Sequence, residues 1–353
     1  DKLVSISASD IPDGQLILDA AYGTTGLVQT SLALQPEFRQ ATIAPLANGK
    51  VLIAGQADDN SWQIIRLNLD GTLDHAFGNN GVVTTVLQSS LHEYVPLPTS
   101  IAIQPNGDFL VGGKYGEPYR RGILVRYKAN GTLDATFGVN GRANLNMLHV
   151  SSNAGISDIA LRPDGRILLG FTEYGPTTGV VAQLMPDGTL DLTFGNGGFV
   201  RLNGLYGTGF SSSQVEILDD GSFLVAGALQ RRAGVVRVQE NGLGLVTSFG
   251  TDGISLANFR GAMVELQEMQ LDSQGRIILA GSAASVVDGR NQPQDFAVAR
   301  FLSDGSPDLL FADSRVKRVD VANSSDDIAT SLVIQPGDKI TLGGASSVAD
   351  VTA

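Results

Sequence analysis

Two short sequence units alternate along this 353-residue chain, and their alternation restricts the available folds more than any other feature. The first unit is a glycine or turn residue followed two positions later by an apolar run ending in small residues. It occurs at 49–55, 107–113, 165–170, 221–227, 275–281 and 338–344. The first apolar residues of these runs stand at 51, 109, 167, 223, 277 and 340, a repeat of about 58 residues. The second unit reads Gly-Thr-Leu-Asp-His-Ala-Phe-Gly-Asn-Asn-Gly at 71–81, with relatives at 131–141, 188–198, 242–253 and, degraded, 305–314; a sixth copy lies at 18–26.

The chain opens on the second unit and closes on the first, so one repeat is divided between its ends. An open solenoid would leave half-repeats exposed and need polar caps, whereas a ring joins its terminal pieces into one composite unit. The expectation is therefore an all-β, single-domain six-bladed β-propeller over residues 1–353, with four-stranded antiparallel blades and a last blade built from both termini. Within one repeat, the strands are expected at Ser100–Gln104, Phe109–Lys114, Gly122–Lys128 and Gly141–Leu145. The intervening Pro-Asn-Gly and Asn-Gly turns supply positive φ where hairpins need it. Leu3–Ser7 is expected as the third strand of the composite blade, which Ile340–Gly344 enters from the other end.

The run from Ser100 to Gly113, then Gly122 to Gly138, resembles the bacterial delta-60 repeat and, more loosely, the NHL-type propeller blade. That resemblance covers nearly the whole chain. It implies an exported or surface-associated bacterial protein. Similar six-bladed propellers include lactonases, lyases and pure binding modules, so the architecture does not select an activity.

Composition removes several classes. The chain has no cysteine, which excludes disulfides and thiolate chemistry. No apolar run approaches the ~18 residues of a membrane helix. A net charge of −12 argues against a nucleic-acid partner, which would need a basic face. Hydrophobic residues make up 42%, enough for a sizeable core. The start at Asp1, without a methionine or an apolar signal stretch, fits a processed protein that is secreted, periplasmic or on the cell surface.

Residues that recur once per repeat read as scaffold. Asp19, Asp74, Asp134, Asp191 and Asp308 invite a calcium-loop reading, but one carboxylate per turn is better explained as a cap on backbone amides. Tyr22, Phe77, Phe137, Phe194, Phe249 and Phe311 are expected as wedges between neighbouring sheets. The lone tryptophan, Trp62, reads as packing.

Function is sought where the repeats differ. The innermost strands begin with Thr42, Ser100, Asp158, Gln214, Glu268 and Ser331, and Glu216 stands out of pattern two residues on from Gln214. Asp158, Glu216 and Glu268 would form an oxygen-ligand set for a divalent cation such as calcium at the mouth of a central channel, which could polarise a lactone or ester carbonyl. The loops between second and third, and fourth and first, strands concentrate Tyr115, Tyr119, Arg120, Arg121, Tyr174, Tyr206, Phe210, Arg231, Arg232, Phe259, Arg260 and Arg290. Tyrosine and arginine dominate binding hot spots, so this set points to an anionic glycan, peptide or protein ligand. The plainer reading pairs these arginines with Glu117, Glu173, Asp288 and Asp295. His92, Glu93 and His149 are the remaining acid–base candidates. No Gly-x-Ser-x-Gly, His-Glu-x-x-His or phosphate-loop motif occurs. Recognition by one loop face is the leading reading, and a metal-dependent lactonase or esterase is the alternative. Nothing in the sequence sets the oligomeric state.

Overall fold

The structure is a computed structural model that describes residues 3–4, 27–28, 41–57, 61–87, 96–115, 121–144, 154–173, 178–203, 210–229, 232–257, 259, 263–287, 290–311, 316–320 and 326–347. Every regular element among them is a β-strand. No helix is long and apolar enough to cross a membrane. The chain divides into two compact units, residues 1–161 with 185–189, and residues 162–184 with 190–353.

In the first unit, β1 (Leu3–Val4) pairs antiparallel with β2 (Leu27–Val28). Strands β3 (Ala41–Pro45), β4 (Val51–Gln56), β5 (Ser61–Leu67) and β6 (Val82–Val86) form an antiparallel meander. A second meander follows in β7 (Leu97–Ile103), β8 (Phe109–Tyr115), β9 (Arg121–Tyr127) and β10 (Arg142–Asn144). β11 (Ala154–Leu161) completes this unit, with Ala154 bridging Arg121 in parallel. The four strands expected between residues 100 and 145 are thus present, with ends within one residue of expectation except that the first begins three residues earlier, at Leu97.

The second unit opens with β12 (Ile167–Glu173), β13 (Thr178–Leu184) and β14 (Phe199–Arg201). Two four-stranded meanders follow: β15 (Phe210–Ile217) to β18 (Ile254–Ala257) through β16 (Phe223–Leu229) and β17 (Arg232–Val238), then β19 (Met263–Leu271) to β22 (Val316–Val319) through β20 (Ile277–Val287) and β21 (Arg290–Phe301). β23 (Asp326–Gln335) and β24 (Lys339–Ser347) pair with each other.

Strands β4, β5, β8, β9, β12, β13, β16 and β17 are buried along nearly their whole length, because both faces of these sheets are covered. Successive residues therefore serve opposite cores. Leu52 and Ala54 of β4 pack with Val111 and Val125, while Ile53 packs with Ile65 and Leu67. In the second unit Ile277 and Leu279 face Leu224 and Val235, whereas Ile278 faces Leu332. The repeated phenylalanines act as the expected wedges: Phe77, Phe137, Phe194 and Phe249 are buried, with Phe77 6.0 Å from Phe109 and Phe194 5.9 Å from Phe223. Phe311 is partly buried, and Tyr22 lies outside the described residues. Trp62 is fully buried as packing, donating its indole N–H to the Tyr127 hydroxyl at 2.8 Å.

A β-bulge recurs in the first strands, between Pro98 and Ser100, Ser212 and Gln214, Leu266 and Glu268, and Ala329 and Ser331. It explains the glycine near the end of the second strand. A Cβ at Gly113, Gly227, Gly281 or Gly344 would strike the carbonyl oxygen of Leu97, Ser211, Glu265 or Ile328, backbone that the bulge pushes across the sheet.

Candidate functional site

The recurring polar residues are committed to the scaffold. In each of four turns the aspartate uses one oxygen to cap its own turn: Ala76 N donates to Asp74 at 3.2 Å, Thr136 N to Asp134 at 3.3 Å, Thr193 N to Asp191 at 3.0 Å and Leu310 N to Asp308 at 2.9 Å. The other oxygen accepts from a side chain eight residues earlier: Arg66 at 2.7 Å, Arg126 at 2.8 Å, Gln183 at 2.8 Å and Arg300 at 2.8 Å. The three guanidinium groups also lie 4.5 to 4.6 Å from the ring centres of Phe77, Phe137 and Phe311. The turn-cap expectation is met at these four aspartates, Asp19 lying outside the described residues, and this arginine partner is the part that sequence reading missed. Its signal was an arginine eight residues before the aspartate in three of the copies.

The arrangement holds these carboxylates ionised. The Lys50 ammonium is the main cause that lowers Asp74 to about 2, against burial and with help from Arg66. For Asp134 burial is the largest influence and opposes the charge, yet bonds from Thr136 and Lys128 still carry it below the ordinary range.

The same clamp reaches into the following repeat. Arg66 Nη1 donates to Ala129 O at 2.7 Å, and Arg126 Nη1 to Pro186 O at 2.5 Å. In the repeat where glutamine replaces the arginine, buried Arg162, at the turn between β11 and β12, takes over. Its Nε donates to Gln183 Oε1 at 2.6 Å, and its Nη2 reaches the equivalent turn carbonyl, Glu240 O, at 2.9 Å.

The polar residues of the first strands tie neighbouring first strands together. Ser100 donates to Asp158 at 2.9 Å in the first unit. In the second, Gln214 accepts from Met269 N, Glu268 accepts from Leu332 N at 2.5 Å and from Gln270 at 3.2 Å, and Gln270 bonds both Leu332 O and Ile334 N. Glu216 is exposed. Asp158 belongs to the first unit, and Glu216 and Glu268 to the second. Among the described residues, the acids whose oxygens gather within 4.8 Å are a different trio, Asp295, Asp320 and Asp327, with Asp295 also ion-paired to Arg318.

Of the loop-face residues, Arg121 begins β9 opposite Tyr115, Arg232 begins β17 opposite Leu229, and Arg290 begins β21 opposite Val287. An arginine thus opens the third strand of three separate sheets. Tyr115, Phe210 and Phe259 are buried and serve the core. Glu173 and Asp295 are engaged by the strand residues Arg201 and Arg318. Tyr119, Arg120, Tyr174, Tyr206, Arg231, Arg260, His92, Glu93, His149 and the acids Glu117 and Asp288 lie outside the described residues.

The second unit also holds a cleft of about 490 Å³, lined among others by Asn196, Arg201, Asn203, Leu243 and Leu245. It lies where the 242–253 copy departs from its pattern.

Four segments, residues 46–77, 104–137, 162–194 and 273–311, match the model of a β-propeller family described as a domain of unknown function, DUF5122. The matches support a β-propeller repeat family. Each runs from the second-strand region to the turn aromatic, and the repeat containing Val246 is the one passed over between the third match and the fourth. A Lactobacillus plantarum protein of solved structure aligns over 85% of this chain and 76% of its own, with 13% identity and a TM-score of 0.50, a likeness of fold. A Dyadobacter fermentans protein of unknown function aligns over 89% and 96% (10% identity, TM-score 0.48), and the polysaccharide lyase Uly1 over 98% and 86% (10%, 0.47). The comparison with curated proteins finds no match.

Proposed function

We propose that the chain is a secreted or surface-associated recognition module, a single six-bladed propeller over residues 1–353 with a composite last blade, binding an anionic glycan, peptide or protein through the loops at one end of its sheets. The observation that carries this reading is the arginine at the head of three third strands, Arg121, Arg232 and Arg290, in an acidic protein whose other recurring arginines are spent on turn aspartates. A planar guanidinium at a loop end offers a bidentate fork to carboxylate or sulfate. The flanking Arg120, Arg231 and Arg260 and the tyrosines 119, 174 and 206 would extend the same surface.

A glycan and peptide binding screen tests it. The Arg120/Arg121/Arg231/Arg232 alanine variant is expected to lose at least tenfold in affinity for any ligand found. Wild-type binding by that variant would remove the face assignment. The alternative is a cation-dependent lactonase or esterase using Asp158, Glu216 and Glu268, of which Glu268 already accepts from the Leu332 amide. Elemental analysis with lactone and ester assays on wild type and Glu268→Gln decides between the two.

A further inference from the structure

We infer that the cleft beside the 242–246 turn is a second binding site, one that takes a hexuronate unit of an acidic oligosaccharide with its carboxylate on Arg201. The inference rests on the reading of the chain as an anion-recognising module but assigns a separate place on it.

The cleft opens where the repeat breaks its own rule. In four other copies a hydroxyl two residues past the turn's Asn or Asp locks the turn: Thr72 on Asp70, Thr132 on Asn130, Thr189 on Asp187 and Ser306 on Asp304, at 2.6 to 2.8 Å. At 241–246 the hydroxyl is replaced by Leu243, a glycine is inserted at 244, and the capping aspartate becomes Val246. The Asn241 side chain accepts from the Leu243 amide at 2.9 Å, with no hydroxyl at 243 to add a second bond. Arg237, with no turn aspartate beside it, bonds Asp220 and Ser222 instead.

The consequence is a change of charge. In a chain of net charge −12, the lining contains one arginine and no carboxylate. The Arg201 guanidinium lies 5.2 Å from the Phe199 ring centre, and its bond to Glu173 is long at 3.5 Å. Among the described residues Glu173 is its one ion-pair partner, which leaves donors for a ligand, and a carboxylate matches their fork. Asn196 and Asn203 are exposed, and each carboxamide both donates and accepts, as vicinal sugar hydroxyls require. Leu243, 70% exposed, offers an apolar edge to the C–H face of a sugar ring. The volume falls in the range of ligand sites, ~300 to 1,000 Å³.

Calorimetric titration with oligogalacturonate, a neutral galacto-oligosaccharide of equal length and a glutamate-rich peptide tests the site in the whole chain. Wild type is expected to bind oligogalacturonate alone. Arg201→Gln should weaken binding at least tenfold and Asn203→Ala, a change at an exposed residue that leaves the fold intact, several-fold, with circular dichroism checking each variant. Absence of binding to oligogalacturonate, equal binding of the neutral sugar or the peptide, or wild-type affinity in both variants overturns the inference. Loss in an Arg121→Ala/Arg232→Ala variant with full binding by Arg201→Gln also overturns it, while leaving the loop-face reading standing. A loop-face variant that binds every screened ligand as wild type does sinks that reading and leaves the cleft.

Discussion

Asp74 shows how much of this protein's charge is structural. Its carboxylate caps a turn with one oxygen and accepts from Lys50 and Arg66, both at 2.7 Å, with the other. A carboxyl whose folded pKa is depressed stabilises the fold at pH values above its unfolded pKa of ~3.9, and that contribution is lost as pH falls through the folded value, here about 2. Asp134, Asp191 and Asp308 shift in the same direction. The urea midpoint should therefore be steady from pH 7 to about 5 and drop steeply between about 4 and 2; a flat acid profile would contradict the clamp. At neutral pH, Asp74→Asn should cost about 2–3 kcal/mol, since it leaves two cations without their partner, and this penalty should shrink as pH approaches 2. The aspartate's turn position was legible in the sequence because the cap is local. Its arginine was harder to see, since the pairing crosses a hairpin and in one copy passes to Gln183 and Arg162.

At the scale of the strand, the recurring bulge decides where the first-strand side chains point. Ser100, Gln214, Glu268 and Ser331 each follow the inserted residue, so the alternation of an ideal strand does not place them. Sequence reading aimed these residues at a channel. The structure ties Gln214, Glu268 and Gln270 to the backbone of the next first strand. The glycine opposite the bulge is the sensitive point. Gly227→Ala forces a Cβ onto the Ser211 carbonyl, and should cost about 3 kcal/mol by urea denaturation. Gly197→Ala, with open space around it and only an unfavourable φ of 62° to bear, should cost about 1 kcal/mol. Equal costs would mean that the bulge does not set the requirement for glycine.

For the whole molecule, Trp62 and Arg162 offer a test of the single-ring proposal, because the only tryptophan belongs to one compact unit and Arg162 to the other. Arg162→Met removes bonds to Gln183, Gly221 and Glu240 and should destabilise by about 3 kcal/mol. In a closed ring the loss is shared, so tryptophan fluorescence and far-ultraviolet circular dichroism should shift together. Separate transitions would refute a single cooperative domain. The sequence by itself determined the all-β class, the strand order within a repeat, the hairpin turns and the aromatic wedges. Each of these depends on contacts inside one repeat or on a residue type that recurs in register. Only the tertiary structure decided that Tyr115, Phe210 and Phe259 are core, that Glu268 straps a neighbouring strand, and that one irregular turn leaves an arginine-lined cleft. Those outcomes depend on which repeat a side chain meets and on how a bulge or an inserted glycine aims it. A linear pattern carries no record of either.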